Sequence, residues 1–319
     1  MSTRKTRSLV IFFVALAATD SVAAIAATRE SPIGAGVVVI NTNLRLEDTA
    51  AAGTGMVLTS SGRILTNNHV IAGATTIRVV VPNTTHRYAA RVVGYDIADD
   101  VAVLQLRSAK NLRTVTIGSS ATLRVGASVT AVGNSGGIGR LMSVHGRVIR
   151  LRKSVTVQND SGERHRLTGL IETSAALRPG DSGGPLLDSA GRVVGIDTAA
   201  SPFGHRAYAI PIATATRVTK QIVTGKASAR VHIGATAFLG VQVQGTTVAD
   251  VVPGSPAEAA GLKPGDVLIS IGGKRVTGAA GITSAVLAHK PGQVVTVVYT
   301  DETGTRRTAR VRLATGPPQ

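Results

Sequence analysis

From Ile33 to about Ile210 the sequence is a succession of short apolar runs broken by turn-forming residues, with no helical repeat between them. Val37-Val38-Val39-Ile40, Gly55-Met56-Val57-Leu58, Ile77-Arg78-Val79-Val80-Val81, Val101-Ala102-Val103-Leu104-Gln105-Leu106, Val129-Thr130-Ala131-Val132 and Val193-Val194-Gly195-Ile196 are rich in β-branched residues and too short for amphipathic helices. Short strands at close spacing, without crossover helices, predict a mainly β architecture, an antiparallel barrel or sandwich. Aromatic residues make up only 3% of the chain and Trp is absent. The cores must therefore be built from Val, Ile, Leu and Ala, side chains that suit a pleated surface. The first helical period comes at Ile212–Val223, "IATATRVTKQIV", where the apolar residues share one face and close the all-β unit.

A length of 319 residues suggests two domains. After a linker at residues 226–235, the stretches "FLGVQV" and "VVPGSPAEAAGLKPGDVLISIGGKRV", a helical segment near Gly281–Lys290 and the strands "VVTVVYT" and "RRTARVRLA" predict a small α+β unit over residues 236–315. The all-β unit then occupies residues 28–225. Residues 1–27 read as an export signal: Arg4, Lys5 and Arg7 precede the apolar run Leu9–Ala18, and Ala24-Ile25-Ala26 offers small residues at a cleavage spacing. The alternative is an uncleaved N-terminal anchor, against which Thr19 and Asp20 interrupt the apolar stretch. Either way the body is expected outside the cytoplasm, secreted or in the cell envelope.

The chain has no Cys, which excludes disulfides, thiol catalysis and thiolate metal sites. No cofactor or metal is expected. The net charge of +17 comes from scattered bases, with no basic helix and few aromatic residues for stacking, so specific nucleic-acid binding is not the expectation. A solvated surface with some attraction to anionic envelope polymers is.

The stretch Leu177–Leu186, "LRPGDSGGPL", surrounds one hydroxyl, Ser182, with residues chosen for backbone shape. A serine is a poor nucleophile unless a base takes its proton, a third group orients that base, and donors await the oxyanion. In so tight a turn the backbone N–H groups of Gly180 and Ser182 can point to one spot beside the hydroxyl. Of the seven histidines, His69 in "LTNNHVI" has the best setting for a base, after the strand Arg63–Thr66; His86, His145, His165, His205, His232 and His289 fall in polar or turn-like stretches. For the orienting carboxylate, "YDIADDVAVLQL" offers Asp96, Asp99 and Asp100. Asp100 abuts the apolar strand, whereas Asp96 and Asp99 are expected to face solvent. The order His69, Asp100, Ser182 is that of a known triad type, and it disfavours an α/β-hydrolase elbow, in which the serine comes first.

"TNNHV", "DDVAVL", "RPGDSGGPLLDSAGRVVGI" and "YAIPI" resemble the trypsin-like proteases of the HtrA (high-temperature-requirement) type, and "FLGV" with "GSPAEAAGLKPGDVLISIGGKRV" resembles a PDZ domain. The resemblance implies a chymotrypsin/trypsin-like double β-barrel with the triad between barrels, followed by one PDZ domain. It implies an ATP-independent serine endopeptidase acting on unfolded or peptide-like proteins, in envelope quality control. The competing expectation is a PDZ-bearing binding protein or chaperone with a latent protease domain. In the PDZ unit, the N–H groups of Phe238, Leu239, Gly240 and Val241 would receive a peptide's terminal carboxylate, and Ile282 and Val286 would line the side-chain pocket or serve as helix core. By resemblance, Ala176 forms the base of the primary pocket, with Ala209 and Ile210 as walls. Ala cannot anchor a cation, so small or aliphatic residues are expected before the scissile bond, unless Asp197 points inward. Relatives of this type usually carry Asn before the nucleophile; here it is Asp181, a buried acid expected to need a cation, either an N-terminus created near Ile33 or Arg178. Such relatives commonly form trimers through N-terminal aromatic residues, which "ATRESPIGAGVVVI" lacks, and "NLRLEDTAAA" is too short for a long regulatory loop.

Overall fold

The computed structural model describes residues 29–30, 34–44, 49–158, 164–200, 206–228 and 230–319. The leader, Ile33 and His205 lie outside the described residues, as does the side chain of His165. β1 (Arg29–Glu30) is followed by β2 (Val37–Leu44), β3 (Thr49–Val57), β4 (Arg63–Thr66), β5 (Thr76–Val80), β6 (Arg87–Asp96) and β7 (Val101–Leu106). Next come β8 (Ser128–Gly133), β9 (Met142–Gln158), β10 (Arg164–Thr173), β11 (Pro185–Leu187), β12 (Val193–Ala200) and β13 (Ala207–Pro211), and then helix α1 (Ile212–Val223). β2 to β7 form an antiparallel sheet that closes on itself where β6 pairs with β7. β8 to β13, with β1 at an edge, form a second sheet, closed where β8 pairs with β9. The barrel reading of the all-β unit is the observed one.

Alternation along a strand explains why the run "VVVI" is apolar without a break. Val38 and Ile40 point into the first barrel with Ile64, Val79 and Leu104, while Val37 and Val39 point the other way, into a cluster shared with Val132, Leu187 and Ile196 of the second barrel. A third cluster, including Val129, Ile171, Leu186, Val194 and Ala209, fills the second barrel. Helix α1 buries Ile212, Ala215, Val218 and Ile222, the 3–4 residue spacing of one helical face, against this double-barrel core. Burial of its Ile and Val side chains contributes roughly 1.5–3 kcal/mol each.

The segment 226–235 is not a free linker. Its residues Val231–Ile233 form β14, which pairs antiparallel with Gly94–Asp96 of β6 and so extends the first sheet. The cause is local: Val231 is apolar and buried, and Gly94 lacks a side chain where the carbonyl of His232 and the side chain of Ile222 come close. This strand also overturns the expectation that Asp96 faces solvent. Asp96 is 1% exposed, accepts the N–H of Asp99 at 2.9 Å, and lies 3.6 Å from the Arg230 guanidinium. Burial raises its pKa above the usual carboxylate value. Asp99 is half-buried and paired with Arg217 and Arg230 at 2.6 and 2.7 Å.

The second unit contains β15 (Thr236–Phe238), β16 (Val241–Gln244), β17 (Thr247–Val251), α2 (Pro256–Ala259), β18 (Val267–Ile271), β19 (Lys274–Arg275), α3 (Ala279–Leu287), β20 (Val294–Thr300), β21 (Arg306–Arg312) and β22 (Ala314–Gly316). The main sheet runs β16-β17-β18-β20-β21, so β16 is an edge strand, and β15 pairs with β22 in a separate ribbon. Tyr95 of the first barrel sits at the junction: it is fully buried, its ring lies 5.0 Å from that of His232, and its hydroxyl is 3.4 Å from both Thr236 Oγ1 and Gln319 N. Pro318 and Gln319 continue onto the first barrel, their carbonyls accepting from Gly73 N at 2.8 Å and Asn68 Nδ2 at 3.0 Å.

Candidate active site between the barrels

His69 follows β4, and Asp100 ends the turn that leads into β7. Those strands are hydrogen-bonded neighbours, Leu65 facing Val103, so the two residues emerge side by side although 31 positions apart. Asp100 has φ 52°, the left-handed region that Asp tolerates better than most residues. There its carboxylate faces His69: Oδ1 accepts the His69 backbone N–H at 3.0 Å, and Oδ2 meets His69 Nδ1 at 2.8 Å. Oδ2 also accepts the Thr198 hydroxyl at 2.6 Å, and the Asp100 carbonyl accepts from Asn67 Nδ2 at 2.9 Å. An Asp bonded to Nδ1 fixes the tautomer in which Nε2 is the basic nitrogen.

Ser182 occupies a turn held by the first barrel as much as by its own. Thr54 of β3 donates its backbone N–H to the Ser182 carbonyl at 2.9 Å and its hydroxyl to the Gly180 carbonyl at 2.6 Å, while that hydroxyl accepts from Asn134 N at 2.9 Å. Gly183 has φ 87°, and a Cβ there would collide with the Thr54 carbonyl and the Thr66 hydroxyl, so only Gly fits. The Pro179 carbonyl is turned away to accept from Gly136 N at 2.7 Å. Among the described residues, the N–H groups of Gly180 and Ser182 carry no hydrogen bond. Ser182 Oγ donates to the Thr198 carbonyl at 3.2 Å. Thr198 therefore contacts both the serine, through its carbonyl, and Asp100, through its hydroxyl.

Thr198 and Thr54 are the residues that sequence reading missed. The signal for Thr198 was a hydroxyl within a strand whose preceding residues are all apolar or Gly except Asp197; for Thr54 there was none beyond its place in a strand. The other histidines do not join the site among the described residues. His86 and His145 are exposed, His232 is buried at the junction with its pKa lowered by burial, and His289 lies in the second unit.

Asp181 is 2% exposed, and its partners are neutral: the Ser135 hydroxyl at 2.6 Å and the backbone N–H of Arg178 at 2.8 Å. Burial raises its pKa, while these two bonds and the more distant Arg178 charge oppose the shift. The expected ion pair with a cation is therefore replaced, among the described residues, by hydrogen bonds from neutral groups. Ala176 is exposed on the loop ahead of the turn. Ala209 and Ile210 are consecutive on β13, so their side chains face opposite ways, Ala209 into the second barrel and Ile210 into the shared core. Only one of them can face a given pocket, which corrects the expectation that both are walls.

In the second unit the carbonyls of Leu239 and Gly240 turn inward, accepting from Ala257 N and Val252 N, both at 2.9 Å. The N–H groups of Leu239 and Gly240 carry no hydrogen bond among the described residues. Phe238 ends β15 and Val241 begins β16. Ile282 and Val286, one turn apart on α3, are 5% and 7% exposed and belong to the core of this unit.

A closed pair of antiparallel barrels with His69, Asp100 and Ser182 gathered around Thr198 is the fold and site of a trypsin-like peptidase domain, here followed by a PDZ domain. Comparison with known proteins agrees: residues 53–196 match the trypsin-like peptidase domain family and residues 247–300 the PDZ domain family. The chain belongs to the HtrA type of trypsin-like proteases. It is 35% identical over 275 residues to "Protease Do-like 1, chloroplastic" of Arabidopsis thaliana, covering 79% of this chain and 61% of that protein. It is 34% identical over 293 residues to a "Probable periplasmic serine endoprotease DegP-like" of Pseudomonas fulva, covering 86% of this chain and 58% of that one. Among solved structures, "HtrA-type protease AlgW with tripeptide" matches with a TM-score of 0.53 at 29% identity, over 90% of this chain and 95% of that one. The chain spans about three fifths of the length of these curated relatives.

Proposed function

We propose that this protein is an extracytoplasmic serine endopeptidase that cleaves unfolded or peptide-like proteins without ATP or metal, through an acyl-enzyme on Ser182. The observation that carries the reading is the 2.8 Å contact of His69 Nδ1 with an Asp100 carboxylate that also accepts from Thr198, the residue whose carbonyl receives the Ser182 hydroxyl. His69 accepts the Ser182 proton as the oxygen attacks the peptide carbonyl, and Asp100 stabilises the imidazolium so formed. The N–H groups of Gly180 and Ser182 receive the developing oxyanion, a contribution on the order of 10²–10³ in rate per donor. The imidazolium returns the proton to the leaving amine, and water, deprotonated by His69, then releases the acyl group. No small-or-aliphatic preference follows for the primary pocket, because Ala176 is exposed and Asp197, the exception the sequence raised, lies buried beside Ala209.

In the PDZ domain, the free N–H groups of Leu239 and Gly240 suit a C-terminal carboxylate, and the open edge of β16 suits strand addition by the peptide. The location outside the cytoplasm is supported by the basic-apolar leader and by relatives named periplasmic. The test is labelling with a fluorophosphonate, which modifies only an activated serine. Wild type is expected to react and Ser182→Ala not to; absence of Ser182-dependent labelling, with or without a C-terminal peptide, would favour a PDZ-bearing binding protein with a latent protease domain.

A further inference from the structure

Asp197 is 1% exposed on β12, and its Oδ2 has no hydrogen-bond partner among the described residues. Its neighbour across the sheet is Ala209, whose side chain faces the apolar interior of the second barrel. Its backbone belongs to the support of the nucleophile turn. The Asp197 carbonyl accepts from Gly183 N at 2.8 Å, its N–H donates to the Gly184 carbonyl at 2.9 Å, and Gly184 N donates to the Asp181 carbonyl at 2.9 Å. Asp181 and Asp197 are thus joined through the main chain of Gly183 and Gly184. They are equipped differently: Asp181 receives two donors, and the buried Oδ2 of Asp197 receives none among the described residues. An isolated charge in an apolar barrel is so costly that a group in this position neutralises instead.

Ionisable groups on the neighbouring elements are engaged elsewhere: on β9, His145 meets the Thr130 hydroxyl at 2.9 Å and Arg147 bonds the Gly126 carbonyl at 3.0 Å, while Asp100, reached by the next residue Thr198, is paired with His69. β8 and β11 contribute none. Tyr208 on β13 and Glu172 on β10 act on each other and on Arg150 and Arg206. Asp188 beyond β11 is paired with Arg192 at 2.8 Å. Arg178 acts on Asp181, and Asp181 is the charged group acting on Asp197.

We propose that Asp197 keeps its proton in the folded protein and that this neutral acid is a positioning residue for the Ser182 turn, which loses its shape when the proton leaves. The inference rests on the reading of that turn as the nucleophile's. Burial raises the pKa of Asp197 well above the usual value, and the Asp181 charge adds to the shift. The sign follows from linkage: stabilisation by a group whose pKa is raised on folding is fully present below the ordinary carboxyl pKa and is lost as pH rises through the folded value. A neutral Asn at position 197 removes that dependence.

The test compares Asp197→Asn with Asp197 in the inactive Ser182→Ala background, following the thermal midpoint from acid to alkaline pH. The gap is expected to move in favour of Asn as pH rises; a gap independent of pH overturns the proposal. In the active enzyme, the fluorophosphonate labelling rate is expected to fall on the alkaline side and Asp197→Asn to hold it; the same decline in both overturns it. Should Asp197→Asn fail to fold, the infrared spectrum of Ser182→Ala decides, since a buried protonated carboxyl band is expected at neutral pH and its absence is fatal. Failure of labelling at every pH would instead break the peptidase reading, with the midpoints and the infrared band still judging the Asp197 proton.

Discussion

Asp100, at the edge of the first barrel, accepts hydrogen bonds from His69 N, His69 Nδ1 and the Thr198 hydroxyl, whereas the buried Oδ2 of Asp197, inside the second barrel, has no donor among the described residues. Both are nearly inaccessible to water, at 6% and 1% exposure. Burial alone therefore does not say what a carboxyl group does. Its donors hold the first where it can steady an imidazolium, and the lack of one at Oδ2 makes the second a candidate for a retained proton. The two are linked through consecutive residues, since Thr198 follows Asp197 on β12 and its hydroxyl reaches Asp100.

Substitutions can break this contrast. Asp100→Asn keeps the shape but supplies no charge and favours the wrong imidazole tautomer, so kcat should fall on the order of 10⁴-fold. Equal activity in a peptide-cleavage assay would remove Asp100 from the mechanism. The second effect in size is Gly183→Ala. A left-handed conformation costs a non-glycine residue about 1–3 kcal/mol, and the collision with the Thr54 carbonyl adds to it. Denaturant unfolding should therefore show a loss at or above the top of that range. Thr198→Val removes one donor to a charged acceptor, about 1.5–3 kcal/mol. It should lower kcat/KM by roughly 10–100-fold without changing the folded structure, as checked by circular dichroism. If Thr198→Val were silent while Asp100→Asn was not, His69 alone would suffice to orient the acid.

Much of this was legible in the sequence because the signals are local. The β-branched runs marked β2, β3, β5, β7, β8 and β12 but not the more polar β6, β9 and β10, and "IATATRVTKQIV" matched helix α1 residue for residue. His69, Asp100 and Ser182 stood out because each lies in a short stretch whose other residues serve backbone geometry or core packing. What was missed depends on contacts between distant segments. Val231–Ile233 reads as part of a short linker until Gly94 leaves room for it beside β6, and Asp96 reads as a surface acid until that strand covers it. Asp181 looks like a charge in need of a cation; the Ser135 hydroxyl that meets it comes from a loop 46 positions away, with nothing in its own sequence to announce the role.

Thr54 belongs to the first barrel, yet it holds the Gly180 and Ser182 carbonyls and receives Asn134 N. Neither barrel on its own contains a finished nucleophile turn. On the proposed reading, a chain emerging from its exporter in an extended state carries no active protease, and the serine becomes reactive only after both halves have docked.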